Sequence, residues 1–292
     1  YDTTRDISYS HSTNSLLGKA FIKMIENATG RVCLIKRARG YSNEIGSEHS
    51  FWEVMISRYG LSLDIRTGGL QNIPTNGPLI IIANHPYGIL DGLIICYILA
   101  ITRGNFRILA HHIFLKSEDL SEVILPISFH STKKSLQLNI RTRKKALNFL
   151  SQGGAIGIFP GGTVSTAQTP FSQPLDPRWR LFTAKMIAKS KATVIPVYFE
   201  GHTSRIFQIA SHLHHTLRMS LLLKEFKNQI DRPVSLSIGK PINLDDIKKL
   251  SHNPQNLMKF LRAKTYELSE KPVASDKFGL DFEQRHRQKI TI

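Results

Sequence analysis

The stretch Asn84-His85-Pro86-Tyr87-Gly88-Ile89-Leu90-Asp91-Gly92 sets an imidazole and a carboxylate close together in the chain. A carboxylate that holds one imidazole nitrogen as N–H leaves the other free to take a proton. The pair therefore has the makings of a general base and its orienting partner. The other use of Asp91 in such a place is to cap a helix through its side-chain oxygen. Residues 78–83 (PLIIIA) read as a buried strand, and a second apolar run, residues 89–101, is long enough for a helix. His85 then falls in the loop between them and Asp91 in or beside the first helical turn, with Pro86 and Gly88 supplying the bend. In α/β sheets ligands gather at the carboxyl ends of strands, where this loop would lie.

A second junction follows another apolar run. Residues 155–159 (AIGIF) read as a strand, and Phe159-Pro160-Gly161-Gly162-Thr163-Val164-Ser165 leads out of it. Backbone N–H groups at Gly161 and Gly162 have no side chains to shield them and suit an anion or a developing oxyanion; the same residues also suit an ordinary tight turn. Thr163 and Ser165 either donate hydrogen bonds into that site or cap the next helix. The other histidines offer less. His111-His112 and His214-His215 are adjacent pairs whose rings point to different faces, and no carboxylate or cysteine completes a zinc set with His212 and His215.

These junctions need a scaffold of alternating strands and helices. Residues 15–28 carry Leu17, Phe21, Met24 or Ile25 and Ala28 at helical spacing, with Lys19 and Lys23 between them. This amphipathic helix either docks on the domain or lies in a lipid head-group layer. The basic residues Arg31, Lys36, Arg37 and Arg39 follow. A second helix is expected over 44–59, a strand over 61–66, a strand over 105–110, a short helix over 114–123 and a strand over 124–129. Residues 135–151 read as a strong helix whose outer face bears Arg141, Arg143, Lys144 and Lys145. Further helices are expected over 178–189, over 204–230 (one, or two broken near the middle) and over 245–268 with a break at Pro254. Residues 193–199 read as a strand and 234–238 as an edge strand. The alternation predicts an α/β fold, its sheet flanked by helices, and several short connections predict that the sheet is mixed rather than purely parallel. The chain divides into an N-terminal helical segment (1–50), a main domain (51–270) and a polar tail (271–292) expected to add little to the core.

With 292 residues, 41% of them hydrophobic, the chain can bury a full core. Its formal net charge of +17 favours nucleic acid, an anionic membrane surface or an acidic partner. Nucleic acid is disfavoured, because the basic residues are spread over several elements with no zinc-finger spacing and no groove of stacking aromatics. No stretch reaches the roughly 18 uninterrupted apolar residues of a membrane span. The start of the sequence lacks a signal-peptide layout. Cys33 and Cys96 sit in apolar surroundings, which reads as two unpaired thiols in a reducing, cytoplasmic setting.

With residues 194–197 (VIPV) and the following Phe199-Glu200-Gly201-His202, the two junctions resemble, in order and spacing, the motifs of the glycerolipid (1-acylglycerol-3-phosphate) acyltransferase superfamily. The resemblance covers roughly residues 60–240. It is strongest to the lyso-ornithine lipid O-acyltransferase and hemolysin-like branch, which shares the five residues between His85 and Asp91. Residues 159–165 are similar to the family's Phe-Pro-Glu-Gly-Thr-Arg-Ser, with Gly161 in place of the glutamate and Val164 where arginine is frequent. The family's arginine motif for glycerol phosphate has no clear counterpart; Lys116, Arg141 and Arg143 are the only candidates.

The resemblance implies an O-acyltransferase that moves a fatty acyl group from an acyl carrier protein or coenzyme A thioester to the hydroxyl of a lyso-lipid. His85 would be the general base and Asp91 its orienter. Asn84, Gly88, Gly92, Phe159, Pro160, Gly161, Gly162, Thr163 and Ser165 would line the substrates. No cofactor, no metal and no covalent enzyme intermediate is implied, since the thiol leaves readily. A phosphomonoester calls for a bidentate cation, so the missing arginine favours lyso-ornithine lipid over lysophosphatidate as acceptor. The implied partners are the thioester donor, the lyso-lipid and an anionic membrane surface, and the implied place is the cytoplasmic face of the inner membrane. The alternatives are a 1-acylglycerol-3-phosphate acyltransferase and a membrane-surface module without catalysis.

Overall fold

Strand β2 (Leu79–Ala83) is buried along its whole length, every residue at 0% exposure. Side chains alternate between the faces of a strand, so an unbroken apolar run needs cover on both sides. The computed structural model, which describes residues 8–13, 15–46, 49–111, 118–128 and 132–282, provides that cover. Beside β2 lie β1 (Ser62–Gly68), β3 (Phe106–His111), β4 (Ile124–Ile127), β5 (Ala155–Ile158), β8 (Thr193–Phe199) and β9 (Pro233–Ile238), in the order β1-β9-β8-β2-β5-β3-β4. β2 runs parallel to both β5 and β8, and β3 parallel to β5 and β4. β9 runs antiparallel to β8 and parallel to β1. The sheet is therefore mixed, as expected, but not for the expected reason: its antiparallel pair, β8 and β9, is joined by the long helical segment 200–232 and not by a short connection.

Helices α2 (Val32–Ala38), α3 (Phe51–Arg58), α4 (Ile89–Arg103) and α9 (His215–Lys227) cover one face, over Leu79, Ile81 and Ala83. Helices α6 (Lys133–Ser151), α7 (Leu181–Ser190), α10 (Leu244–Leu250) and α11 (Pro254–Tyr266) cover the other, over Ile80 and Ile82. Burying each such isoleucine contributes about 1.5–3 kcal/mol. A short helix α5 (Glu118–Ser121) precedes β4, and a two-stranded ribbon of β6 (Thr166–Ala167) and β7 (Pro174–Leu175) follows β5. Helices α1 (Leu16–Glu26) and α8 (Arg205–Leu213) pack against α9.

Several expectations are revised. The segment expected as a helix from 44 starts its regular helix only at Phe51, where Ser50 and Glu53 form a reciprocal capping box. The strand expected at an edge, β9, lies inside the sheet between β1 and β8. Its polar Ser235 is accommodated by donating to Asp64 Oδ2 at 2.7 Å. The long helix over 204–230 is two helices: His214 is extended (φ −156°) and its Nδ1 accepts from Thr216 N–H at 3.1 Å. The helix expected over 114–123 is described only from Glu118, and Lys116 lies outside the described residues. The polar end also differs. Phe282 is 5% exposed and stacks on His215, so this part of the chain does contribute to the core.

Helix α1 packs on the domain by one face only. It docks through Ile22 and Glu26, both wholly buried, while Leu16, Leu17 and Met24 are 82%, 83% and 61% exposed. The apolar stripe read from the sequence faces outward.

Candidate active site

Strands β8, β2 and β5 are neighbours and run the same way, so their carboxyl ends lie side by side at one rim of the sheet. The three motif stretches leave from those three ends. After β2 the chain reaches His85 and turns into α4 at Gly88, whose φ of +85° and ψ of −102° suit glycine alone. A Cβ there would also lie 2.9 Å from Val164 Cγ2, so Gly88 brings the first loop onto the second.

Asp91 is the third residue of α4. Its Oδ2 accepts from the N–H groups of Tyr87 and Gly88, each at 2.9 Å, and lies 3.0 Å from His85 Nδ1. The two sequence readings of Asp91, helix cap and partner of the imidazole, are thus both met by one oxygen. The His85–Asp91 contact is at hydrogen-bond distance without linear alignment, and Asp91 Oδ1 has no partner among the described residues. Asp91 is fully buried and the His85 side chain 17% exposed, so the acid is sealed behind a base that reaches the surface. Burial raises the Asp91 carboxyl above its ordinary range, while His85 and the two amides pull it back down. Burial also pushes the Tyr87 hydroxyl up to about 12, and it donates to Glu200 O at 3.0 Å.

Phe159 stacks on the His85 ring, centroids 4.2 Å apart and planes at 25°, which fixes the imidazole from one side. Beyond it residues 159–162 make a tight turn closed by Gly162 N–H on Phe159 O at 3.0 Å, with Gly162 at φ +72°. The Gly162 amide is therefore committed to the turn. Among the described residues the Gly161 and Thr163 amides meet no acceptor. Thr163 Oγ1 accepts from Arg218 at 3.3 Å. Ser165 is buried, gives its N–H to His85 O at 2.8 Å and its hydroxyl to Asp176. The helix-capping alternative for Thr163 and Ser165 is revised, since the ribbon β6–β7 follows, and the Ser165 hydroxyl ties the two loops together instead of facing substrate. Pro160 O accepts from Arg180 N–H at 2.8 Å.

The family model described as Acyltransferase matches residues 47–274. The chain belongs to this acyltransferase family. It is 27% identical over 234 residues to a lyso-glycine lipid O-acyltransferase of Phocaeicola vulgatus, across 77% of this chain and 79% of that protein. It is 28% identical over 146 residues to a 1-acyl-sn-glycerol-3-phosphate acyltransferase of Borreliella burgdorferi, across 49% of this chain and 54% of that protein. Among solved structures, the 1-acyl-sn-glycerophosphate acyltransferase of Thermotoga maritima matches with a TM-score of 0.46 and 14% identity, over 86% of this chain and 97% of that one.

Other motif residues of the acyltransferase have structural work. Both polar atoms of the Asn84 side chain are engaged by the backbone of Phe199: Nδ2 donates to its oxygen at 2.9 Å and Oδ1 accepts from its N–H at 2.7 Å. Asn84 thus joins the first motif to the third instead of facing a ligand. Gly92 has open space where a Cβ would stand and remains free to border a ligand. Arg143 lies over the Phe182 ring on the α6 side. A cavity of about 490 Å³, lined by Lys36, Arg37 and Lys227, sits at the N-terminal helices away from His85. A smaller one of about 190 Å³ is lined by Tyr87, Glu200 and Gly201, on the flank of the His85 loop. Neither cavity is lined by His85 or Asp91.

Three buried residues escape sequence reading. Gln208 accepts from Ala167 N–H at 2.8 Å and donates to Thr203 Oγ1 at 2.7 Å, holding α8 to the ribbon. Arg218 donates to Thr166 Oγ1 at 2.9 Å and Val164 O at 3.1 Å, bracing the loop from behind. Asp176 stands in an irregular run between Pro174 and Pro177, where nothing in the sequence separates a buried acid from a solvated one.

Proposed function

We propose that this acyltransferase moves a fatty acyl group from a thioester, on acyl carrier protein or coenzyme A, to the hydroxyl of a lyso-lipid with an amino-acid head group. Lyso-ornithine lipid is the first acceptor to test and lyso-glycine lipid the second. The observation that carries this is His85 Nδ1 set 3.0 Å from a fully buried carboxylate while the ring stays accessible. With Asp91 on Nδ1, the other ring nitrogen takes the proton as the hydroxyl oxygen attacks the thioester carbonyl carbon. The C–S bond then breaks, and the thiolate leaves with the proton from the imidazolium. Removing the proton during attack is worth about 10²–10⁴-fold. The Gly161 and Thr163 amides are the donors available to the developing oxyanion.

Two observations support the acceptor class: the missing arginine motif, and the lyso-glycine lipid activity of the Phocaeicola vulgatus relative. The Borreliella burgdorferi relative makes lysophosphatidate the control acceptor. The outward apolar face of α1 and the net charge of +17 support peripheral binding to an anionic surface, at the cytoplasmic face of the inner membrane. Among the described residues no helix is long and apolar enough to cross a membrane. Purified protein given an acyl thioester and each of the three acceptors in turn tests the reading by thiol release and by product mass. Thiol release that depends on an amino-acid lyso-lipid is expected. Transfer to lysophosphatidate alone would overturn the acceptor, and none to any hydroxyl would overturn the reaction.

A further inference from the structure

Asp176 is fully buried, and each of its polar atoms is committed. Oδ1 accepts from the His85 N–H at 3.1 Å and from the Ser165 hydroxyl; Oδ2 accepts from Trp179 Nε1 at 2.9 Å. Its own N–H donates to Tyr266 Oη at 3.1 Å, and its carbonyl accepts from Gly279 N–H at 2.9 Å and Arg262 Nη2 at 3.4 Å. A single carboxylate oxygen is thus the meeting point of the loop that carries the base and the loop that carries the glycine turn. It is held there from the ribbon, from α11 and from residues 275–282. Burying a carboxylate is unfavourable unless its oxygens are well bonded, and here every bond restrains the geometry of the two loops.

A second observation concerns Gly161. A Cβ there would lie 3.3 Å from Asp176 Cγ, tighter than most side-chain contacts, and 3.4 Å from its Oδ2. Position 161 is where the resembled pattern has glutamate, so a side chain there would start out beside the carboxylate of the unexpected acid fifteen residues on.

We propose that Asp176 is a positioning residue for acyl transfer, its carboxylate occupying the space that an acidic side chain at 161 would need and fixing His85 against the Gly161 and Thr163 amides. This rests on His85 being the base. Misplacing a reacting group by an ångström costs about 10²-fold in rate. Asparagine at 176 keeps the volume but turns an N–H₂ toward a donor on one side or the other.

The test uses the full chain and follows kcat and KM for the thioester. Asp176→Asn is expected to lower kcat by about 10²-fold with KM within about threefold, since the residue touches no substrate. Gly161→Glu alone is expected to be impaired as well, two carboxylates then competing for one space. Combined with Asp176→Ala, Gly161→Glu is expected to recover kcat at least tenfold over Asp176→Ala alone. A merely structural role predicts no such recovery. Wild-type kcat in Asp176→Asn, or a double variant no better than Asp176→Ala, would overturn the inference. His85→Ala, measured alongside, separates the cases: full turnover there sinks the base assignment itself, whereas loss there with an active Asp176→Asn sinks only the role of Asp176.

Discussion

Asp91 occupies a position that works against its own ionised state. Burial raises its carboxyl above the ordinary range, with His85 and two amides opposing. A carboxyl raised in the folded chain keeps protons that the unfolded chain has already lost, so this group makes stability fall as pH climbs through the interval above the ordinary carboxylate value. Removing the charge removes that penalty. Asp91→Asn is therefore expected to be no less stable than the parent by denaturant titration at neutral pH, yet to lose about 10²-fold or more of its turnover through the wrong imidazole tautomer. A loss of several kcal/mol with activity kept would mark the residue as a helix cap only. Gly88→Ala should instead lose about 1–3 kcal/mol, since φ is +85° and Val164 stands 2.9 Å from the new methyl. Unchanged denaturation would contradict the closeness of the two loops. At this scale His85 and Asp91 were legible because their types and spacing are chemical. Ser165, Asn84 and Asp176 were not. Their roles come from partners far along the chain, and a polar residue near a motif looks the same whether it meets a ligand or the backbone of another strand.

Among the elements, α1 makes the sharpest case. The spacing of Leu17, Phe21 and Met24 gives an amphipathic helix but does not say which face the domain takes. Only packing decides that, and it chose Ile22 and the buried Glu26, whose carboxylate accepts from Tyr9 N–H and the Ser8 hydroxyl, each at 2.7 Å. Leu17→Asp with Phe21→Asp is expected to abolish binding to lipid vesicles while turnover on detergent-dispersed substrate stays within about twofold, because neither residue is buried in the core. Retained vesicle binding would mean that α1 is not the contact. Strands were easier to place than helix ends. The runs PLIIIA and TVIPVYF are apolar enough to declare themselves, whereas the break at His214 depends on one side chain closing on Thr216. The interior position of β9 depends on Ser235 finding Asp64, a bond no local pattern announces.

For the whole molecule, the α/β class could be read from the alternation of strands and helices, whereas the mixed sheet arises at β8 and β9, across a long helical connection that gives no such signal. The convergence of three motifs on one sheet rim followed once β8, β2 and β5 proved to be neighbours. Strand order was not legible, because pairing is set by surfaces that only the assembled layers bring together. The net charge of +17 acts at this scale too. Binding to anionic vesicles should weaken steadily as ionic strength rises and the Debye length shrinks from about 30 Å at 0.01 M to about 8 Å at 0.15 M. Binding indifferent to salt would leave only the apolar face of α1 to explain it. Acyl transfer as proposed turns on one proton transfer, and His85→Ala tests it most directly. With saturating thioester and lyso-lipid, turnover is expected to fall by about 10²–10⁴-fold with the melting curve unchanged. Turnover within about twofold of the parent, in a folded protein, would contradict the assignment of His85 as the base.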